Sequence, residues 1–343
     1  MKTVINIFIA LFFATYYSFS QTISNIKKPD FTIAFGSCNK QNSPQPFWKE
    51  ILKNNPDVFI WGGDNIYGDS DDMSKIANDY KIQNKNSGYQ KLKKTIPILA
   101  TWDDHDYGKN DVGAEWSMKE ESQQLFLDFL GVSKDDYRRK QEGVYYSKLF
   151  KNEKGSINVI ILDTRYFRSK LLKDVTGNKR YVPYKNNIGT ILGEKQWKWL
   201  EKELDLTTAD FNVIVSSIQF LSSEHGWECW GNFPGEVERL KKLIVDKKVK
   251  NAMILSGDRH ISEFSTTRIP ELRYPLVDFT SSGLTHSYSK YSGEVNKNRV
   301  GVVISVPSFG VLKFNFDKQK VIMQMRGENN KILQEFVPNY HKN

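Results

Sequence analysis

The stretch that decides the fold is Phe59-Ile60-Trp61-Gly62-Gly63-Asp64-Asn65-Ile66-Tyr67-Gly68-Asp69. The apolar run from Val58 to Trp61 predicts a buried strand that stops at two glycines. A carboxylate, an amide, a phenol and a second carboxylate follow directly. Ligands of open α/β sheets bind outside the carboxyl ends of the strands, and glycine lets the backbone approach closely there. We therefore expect Asp64 and Tyr67, three residues apart on a turn, to face one centre.

Three other predicted strands end in residues of the same kind. The strand at 31–35 leads to Cys38, the strand at 96–102 leads to Asp104 and His105, and the strand at 252–256 leads to Asp258 and His260. Each residue alone has an ordinary explanation, such as a turn cap, a hydrated acidic loop or a hydrogen-bonded core histidine. Four strand ends that all carry potential ligands are hard to attribute to chance, so together they predict a metal or ligand site.

The order of the predicted elements indicates an α/β protein. Strand, helix and strand follow one another over 31–61, which is typical of a βαβ unit. Polar segments at 71–94 and 115–130 and the stretches that begin at 193 and 234 predict helices, while 144–150 and 157–163 predict a hairpin. Residues 169–192 have loop composition, and β-type segments at 276–280, 300–306, 311–316 and 321–325 close the chain. We expect one domain in which helices cover two sheets.

The N-terminus is typical of a secretory signal peptide. One lysine precedes an almost wholly apolar run from Val4 to Tyr17, and small residues follow before Gln21. The run is short for a membrane span, so we expect cleavage after Ser20. The expected product is a single domain over 21–343, exported to the periplasm or the medium, with no transmembrane segment in the mature chain. A retained membrane anchor is the alternative interpretation.

The charge of the chain favours anionic partners. Its formal net charge is +9, which falls to +8 when the single lysine of residues 1–20 is removed. A basic balance of this size suits phosphate esters, nucleic acid or anionic lipid surfaces, although the lysines are scattered and no dedicated nucleic-acid motif is present. The two cysteines, Cys38 and Cys229, predict one disulfide in an oxidising compartment. The sequence leaves the oligomeric state open.

Several blocks of the sequence together resemble the alkaline phosphatase D (PhoD-like) family of metallophosphoesterases. The blocks are, in order, Gly36-Ser37-Cys38, Gly63-Asp64-Asn65-Ile66-Tyr67, Trp102-Asp103-Asp104-His105-Asp106, Leu162-Asp163-Thr164-Arg165, Ser256-Gly257-Asp258-Arg259-His260 and Ser281-Ser282-Gly283-Leu284-Thr285-His286. The resemblance covers residues 31–290 and implies a four-layer αββα sandwich of the metallophosphoesterase type. The extra β-rich domain that larger members carry before the first block is not expected here.

The resemblance also implies a binuclear centre of Fe³⁺ and Ca²⁺. Carried to the matching positions, Cys38, Asp64, Tyr67 and His260 hold the iron, Asp104 and Asp258 complete the calcium side, and Asp64 is shared. Thiolate and phenolate suit trivalent iron, and carboxylates suit calcium. A disulfide between Cys38 and Cys229 contradicts this set, because the thiolate is the ligand. Gln219 stands where related enzymes have a histidine, so neither it nor His225 enters the ligand set.

The expected reaction is hydrolysis of phosphodiesters, with monoesters as further substrates. His105 is the expected proton donor to the leaving group, and Asn65, Arg165 and Arg259 are the expected substrate-binding residues. For Arg165 a structural salt bridge with Asp163 or Asp106 is an equal alternative. His286 is expected to be a rim or structural residue rather than a ligand. Two other functions remain open: an exported metal- or anion-binding protein without catalysis, and a basic-surface binder of nucleic acid or membranes.

Overall fold

Two large mixed β-sheets face each other in the structure, a computed structural model that describes residues 28–340. The strands are β1 (Phe31–Gly36), β2 (Val58–Gly62), β3 (Ile98–Thr101), β4 (Tyr146–Lys151), β5 (Ser156–Ile161), β6 (Leu172–Lys173), β7 (Tyr181–Val182), β8 (Phe211–Val215), β9 (Ala252–Ser256), β10 (Ser262–Thr267), β11 (Leu276–Ser281), β12 (Arg299–Ile304), β13 (Phe309–Asn315), β14 (Lys320–Arg326) and β15 (Ile332–Phe336). The helices are α1 (Phe47–Leu52), α2 (Met73–Lys85), α3 (Ser87–Thr95), α4 (Asp104–Tyr107), α5 (Lys119–Leu130), α6 (Gly193–Leu206) and α7 (Pro234–Asp246).

Each large sheet has a parallel centre with antiparallel strands at its edges. The first sheet has the order β15-β14-β13-β1-β2-β3, and the second has the order β12-β10-β11-β9-β8-β5-β4. Strands β1, β2 and β3 are parallel, as are β5, β8, β9 and β11. Because parallel strands end at one edge, the loops after them gather at the same end of each sheet.

The alternation of side chains along β1 and β2 fixes the layers. Ile33 and Ile60 belong to the core that contains the strands of the second sheet. Ala34, Phe59 and Trp61 point the other way, into a separate cluster with the helices that cover the first sheet. Successive residues of a strand face opposite sides, so both faces of these strands must be apolar.

Helices α6 and α7 cover the outer face of the second sheet. Their buried residues Trp197, Leu200, Leu240 and Ile244 pack in the same core as strands β5, β8 and β9. Helix, sheet, sheet and helix layers therefore follow one another, and the expected four-layer sandwich is confirmed.

Most predicted elements are present, with four differences. The short helix α4, formed by the acidic run after β3, was not predicted. The helical segment at 71–94 divides at Asn86, whose side chain accepts a hydrogen bond from Tyr89 N and caps α3. The expected loop at 169–192 contains the small ribbon β6–β7. Strands β10 and β15 were not predicted. The sequence of β10, Ser-Glu-Phe-Ser-Thr-Thr, lacks an apolar run.

The predicted signal peptide, residues 1–20, lies outside the described residues. Within 28–340, none of the helices is both long and apolar enough to span a bilayer.

A ring contact joins the two sheets, and we expect its loss to be costly. Phe279 of β11 is fully buried and meets Phe35 of β1 edge-on, with ring centroids 4.8 Å apart. Phe279→Ala leaves a cavity between the sheets and is expected to lower the free energy of unfolding by about 3–5 kcal/mol. Val302→Ala, at an exposed position of β12, is the control and should change it by less than about 0.5 kcal/mol. Urea unfolding measures both, and equal losses would show that the rings do not hold the sheets together.

Candidate functional site

The loops after the parallel strands of both sheets meet in one place. Cys38 follows β1, Asp64 and Tyr67 follow β2, Asp104 follows β3, and Asp258 and His260 follow β9. A bridge between Ser37 and Ser282 joins the two sheets at this end. The structure therefore brings together the residues that the four strand ends predicted.

A thiol, a carboxylate and a phenol converge on one point. The Sγ atom of Cys38 and the hydroxyl of Tyr67 both lie 3.2 Å from Oδ2 of Asp64. Cys38 Sγ also lies 3.0 Å from Oγ of Ser282, which accepts a hydrogen bond from the backbone N–H of His260. The expectation that Asp64 and Tyr67 face one centre is confirmed.

A second group of carboxylates lies beside the first. Oxygens of Asp103, Asp104 and Asp258 lie within 4.8 Å of one another, and the same limit joins ligand atoms of Asp64, Asp104 and His105. Asp104 thus belongs to both groups. Asp103 was not in the predicted ligand set, and its only signal was its place in the acidic run that follows β3.

The backbone at these residues is strained. Cys38, Asp64, Asp258 and His260 have φ values of 60°, 51°, 68° and 53°. Such left-handed values are uncommon outside glycine and cluster at functional sites, where the surrounding fold enforces them. Gly63, with φ 100°, allows the close approach that the sequence predicted, because a Cβ there would lie 2.6 Å from Cβ of Asp103.

Burial shifts the proton affinities of this cluster. It raises the pKa of Cys38 to about 11 and, together with the neighbouring negative charges, raises the pKa of Asp64, Asp258 and Tyr67 well above their usual values. Several buried polar atoms have no hydrogen-bond partner among the described residues: Oδ1 of Asp64, Oδ1 of Asn65, Oδ2 of Asp103 and Nδ1 of His260. Crowded acids with unpartnered oxygens fit a bound cation, which would both satisfy and ionise them.

His105 is held from two sides. Its Nδ1 lies 2.7 Å from Oδ1 of Asp69, and its ring stacks on Tyr67 with centroids 4.2 Å apart. Burial lowers the pKa of His105, but the charges of Asp104, Asp64 and Asp69 outweigh that effect and raise it to about 11. Asp69 had no predicted role, although it closes the stretch that decides the fold.

The site opens into a pocket of about 340 Å³. Its lining includes Asp104, His105, Asp258, Arg259 and His260 from the predicted set, together with Asn110, Asp111, Arg180, Trp227, Glu228, His286, Ser287 and Tyr288. His286 therefore lies at the pocket, with its ring centroid 4.5 Å from that of His260. Arg259 is 8% exposed and pairs with Glu294 at 2.8 Å, and its Nε has no hydrogen-bond partner within residues 28–340.

Two predicted substrate-binding residues are engaged elsewhere. Arg165 is fully buried and pairs with Asp103 at 2.5 Å and with Glu228 at 2.6 Å, rather than with Asp163 or Asp106 as the alternative supposed. Asn65 donates from Nδ2 to the carbonyl of Thr101 and to Asp106. Neither side chain lines the pocket, and their binding of substrate stays a prediction.

The disulfide expected from composition is not formed. Cys38 and Cys229 are both buried free thiols. Cys229 lies in the loop after β8, where its N–H donates to Asn232. Gln219 donates from Nε2 to Glu263 and Thr280.

Comparison with known proteins agrees with this geometry. The sequence model of the PhoD-like phosphatases matches residues 33–330. The chain belongs to the PhoD-like phosphatase family. Its sequence is 26% identical to alkaline phosphatase D of Bacillus subtilis (strain 168) over 282 residues, which cover 70% of this chain. The matched region spans about half, 48%, of that relative.

Solved structures share the fold of this PhoD-like chain. The structure of PhoD superposes with a TM-score of 0.71 at 17% identity, covering 90% of this chain and 69% of the other. A dimetal phosphatase from Danio rerio superposes with a TM-score of 0.54 at 11% identity, covering 91% of this chain and 100% of the other. Both agree with a metallophosphoesterase-type sandwich.

The carboxylate of Asp106 holds together the loops that follow β2 and β3 at this site. Oδ1 of Asp106 accepts the backbone N–H groups of Asp64 and Asp103, at 3.2 and 2.7 Å. Its Oδ2 accepts the backbone N–H and the side-chain Nδ2 of Asn65, at 3.2 and 2.5 Å. Asp106 is fully buried, so these donors replace the water that the carboxylate loses on folding.

Asp106→Asn tests this arrangement. Asparagine has one acceptor oxygen and an NH₂ group that must face a backbone N–H, so we expect a loss of about 2–3 kcal/mol in the free energy of unfolding. Asp205→Asn, whose ion pair with Lys247 is exposed, is the matched control and should cost less than about 1 kcal/mol. Urea unfolding of both variants measures the difference. Equal, small losses would contradict a central role for Asp106.

Proposed function

We propose that this chain is an exported, metal-dependent phosphoesterase that hydrolyses phosphodiesters and, as further substrates, monoesters. The observation that carries the proposal is the meeting of Cys38, Asp64 and Tyr67 beside the carboxylates of Asp104 and Asp258, at a pocket that also holds His105. Membership in the PhoD-like phosphatase family supports the reaction class. The apolar segment at residues 4–17 supports export.

The donor set supports an iron and calcium centre. We assign Cys38, Asp64, Tyr67 and His260 to Fe³⁺, and Asp104 and Asp258 to Ca²⁺, with Asp64 shared. The unpartnered Oδ1 of Asn65 is an acceptor, which suits a cation better than a phosphate oxygen. When bound, such metals neutralise charge on the phosphoryl group and lower the pKa of water.

Arg259 is the residue of this chain best placed to bind the phosphoryl group. It lines the pocket and directly follows Asp258, which we assign to Ca²⁺, and its Nε has no hydrogen-bond partner among the described residues. A guanidinium is a strong donor to phosphate oxygens. We assign Arg165 instead to a positioning role, because its buried pairs with Asp103 and Glu228 hold the former beside Asp104.

His105 supplies the proton that the leaving group needs. Asp69 accepts from Nδ1–H of the ring, which leaves Nε2 to donate to the departing oxygen. Stacking on Tyr67 keeps the ring from turning away. Asp69 thus fixes the tautomer of His105, and Tyr67 fixes the direction in which its Nε2–H points.

His105→Ala should lower kcat for a small diester such as bis(4-nitrophenyl) phosphate by roughly 10²–10⁴-fold, because general acid catalysis contributes about that much. Asp69→Asn keeps a hydrogen-bonding side chain but removes the charge, so a smaller loss is expected. Steady-state assays at alkaline pH give the rates, and elemental analysis of the same samples checks that the metals are retained. Full activity of His105→Ala would exclude this histidine as the proton donor.

Cys38→Ser should remove most of the bound iron, since the thiolate is replaced by a weakly acidic hydroxyl. Cys229→Ser changes the other buried thiol of the chain, outside the ligand set, and should leave the iron content at the wild-type value. Elemental analysis of protein exported by the expression host, together with visible absorption of the thiolate– and phenolate–iron(III) pair, measures the effect. Equal iron in both variants would contradict the assignment, and metal binding without turnover in the wild type would favour the non-catalytic binder.

A further inference from the structure

Tyr67 contacts both a proposed metal ligand and the proposed proton donor. Its hydroxyl lies 3.2 Å from Oδ2 of Asp64, and its ring stacks on that of His105 with centroids 4.2 Å apart. The same ring meets His286 edge-on, with centroids 5.1 Å apart. A shift of Tyr67 would therefore change the metal site and the direction of the proton donor together, so whatever fixes its backbone bears on both.

The loop after β1 holds the loop after β2 through successive backbone carbonyls. The backbone N–H of Cys38 donates to the carbonyl of Gly63 at 3.4 Å. Asn39 donates from its backbone N–H to the carbonyl of Asp64 at 2.9 Å, and from Nδ2 to the carbonyl of Asn65 at 3.2 Å. The two loops are therefore joined residue by residue as they leave their strands.

Gln41 completes this series of contacts at Tyr67. Its Oε1 accepts the backbone N–H of Tyr67 at 2.9 Å, and its Nε2 donates to the backbone carbonyl of the same residue at 3.2 Å. One buried carboxamide thus satisfies both backbone polar groups of Tyr67. Glutamine suits this position because it is neutral and offers a donor and an acceptor, whereas an ionised glutamate could only accept.

Gln41 is itself fixed to the helices that cover the first sheet. Its backbone carbonyl accepts a hydrogen bond from Nε2 of Gln45 at 3.4 Å, and Oε1 of Gln45 accepts one from Nε1 of Trp48 on α1 at 2.8 Å. Nε2 of Gln45 also donates to Oε1 of Gln83 on α2, at 2.7 Å. The helical layer of the fold therefore sets the position of the Gln41 carboxamide.

We propose that Gln41 is a positioning residue, which holds Tyr67 so that its phenol points at Asp64 while its ring supports His105. The proposal rests on the proposed phosphoesterase function, in which Tyr67 binds iron and His105 donates the proton. Gln41 acts through the backbone of Tyr67. The reaction needs both groups in place at once, and a misplacement of about 1 Å can cost on the order of 10²-fold in rate. Loss of the carboxamide is therefore expected to impair metal binding and proton donation together.

Gln334 provides a matched control outside the site. Its Oε1 accepts the backbone N–H of Val302 at 2.7 Å, and its Nε2 donates to the carbonyl of Val300 at 3.4 Å. Gln41 and Gln334 are 8% and 6% exposed, and Gln334 lies on β15, at the edge of the first sheet opposite β3. Methionine at either position removes the same pair of hydrogen bonds at nearly constant volume, so a purely structural effect should be the same for both.

The test compares Gln41→Met and Gln334→Met with the wild type, each exported by the expression host. Both variants should lower the urea midpoint of unfolding by similar amounts. Only Gln41→Met should lower kcat for bis(4-nitrophenyl) phosphate, by roughly ten- to hundredfold, and weaken the visible absorption band of the phenolate–iron(III) pair. Gln41→Ala is the second variant, because its smaller side chain admits water to the backbone of Tyr67 and preserves folding, and it should show the same two losses.

The outcomes separate the role of Gln41 from the phosphoesterase function. Wild-type kcat or wild-type absorption in the Gln41 variants, or equal losses in Gln334→Met, overturn the positioning role, while turnover by the wild type still upholds the phosphoesterase. A wild-type protein without iron and without turnover overturns the phosphoesterase. Amide hydrogen exchange then decides on Gln41. Faster exchange of residues 64–69 in Gln41→Met alone upholds its hold on Tyr67, and equal exchange in both methionine variants overturns it.

Discussion

The site depends on the buried carboxylate of Asp106. Four N–H donors from the loops after β2 and β3 meet on its two oxygens, and one of them belongs to Asp64. Burial raises the pKa of Asp106 to about 8, and the hydrogen bonds act in the opposite direction. These donors favour the charged form of Asp106. The contacts that join the two loops therefore also reduce the free-energy cost of burying this carboxylate. One of these bonds holds Asp64 itself, whose backbone is left-handed with φ 51°.

A second buried network connects the site to the wall of the pocket. Arg165 and Arg168 pair with Glu228, and Arg165 also pairs with Asp103. Removing one partner of a buried ion pair costs about 3–5 kcal/mol, because the other charge is left in a poorly solvated place. Glu228 directly follows Trp227, so the network fixes the loop that borders the pocket relative to the carboxylates. Rigidity of this loop suits a site in which proton donor and phosphate-binding groups must keep their spacing.

Sequence reasoning was most successful where a buried strand ends in a polar residue. Cys38, Asp64, Tyr67, Asp104, Asp258 and His260 all lie at the strand ends that the pattern indicated, and the fold class followed from the order of strands and helices. Nothing in the sequence indicated a role for Asp69, because its hydrogen-bond partner, His105, lies 36 residues away. Nothing indicated one for Asp103 either, because Asp103 looks like one more acid of a solvated loop. For Arg165 the sequence left a substrate contact and a structural salt bridge equally open, because an exposed and a buried arginine look alike in sequence. The mini-ribbon β6–β7 was missed because two-residue strands have no periodicity.

The sequence by itself determined which residues follow each strand, since alternation and glycines are local properties of the chain. The order of predicted strands and helices also indicated two sheets covered by helices, and the resemblance of the sequence blocks implied the four-layer sandwich. Only the tertiary structure decided which charges meet. The pairs of His105 with Asp69, of Arg165 with Glu228, and of Arg180 with Asp111 join segments that are 36, 63 and 69 residues apart. Coulomb and hydrogen-bond energies depend on distance in space, and no local pattern encodes that distance.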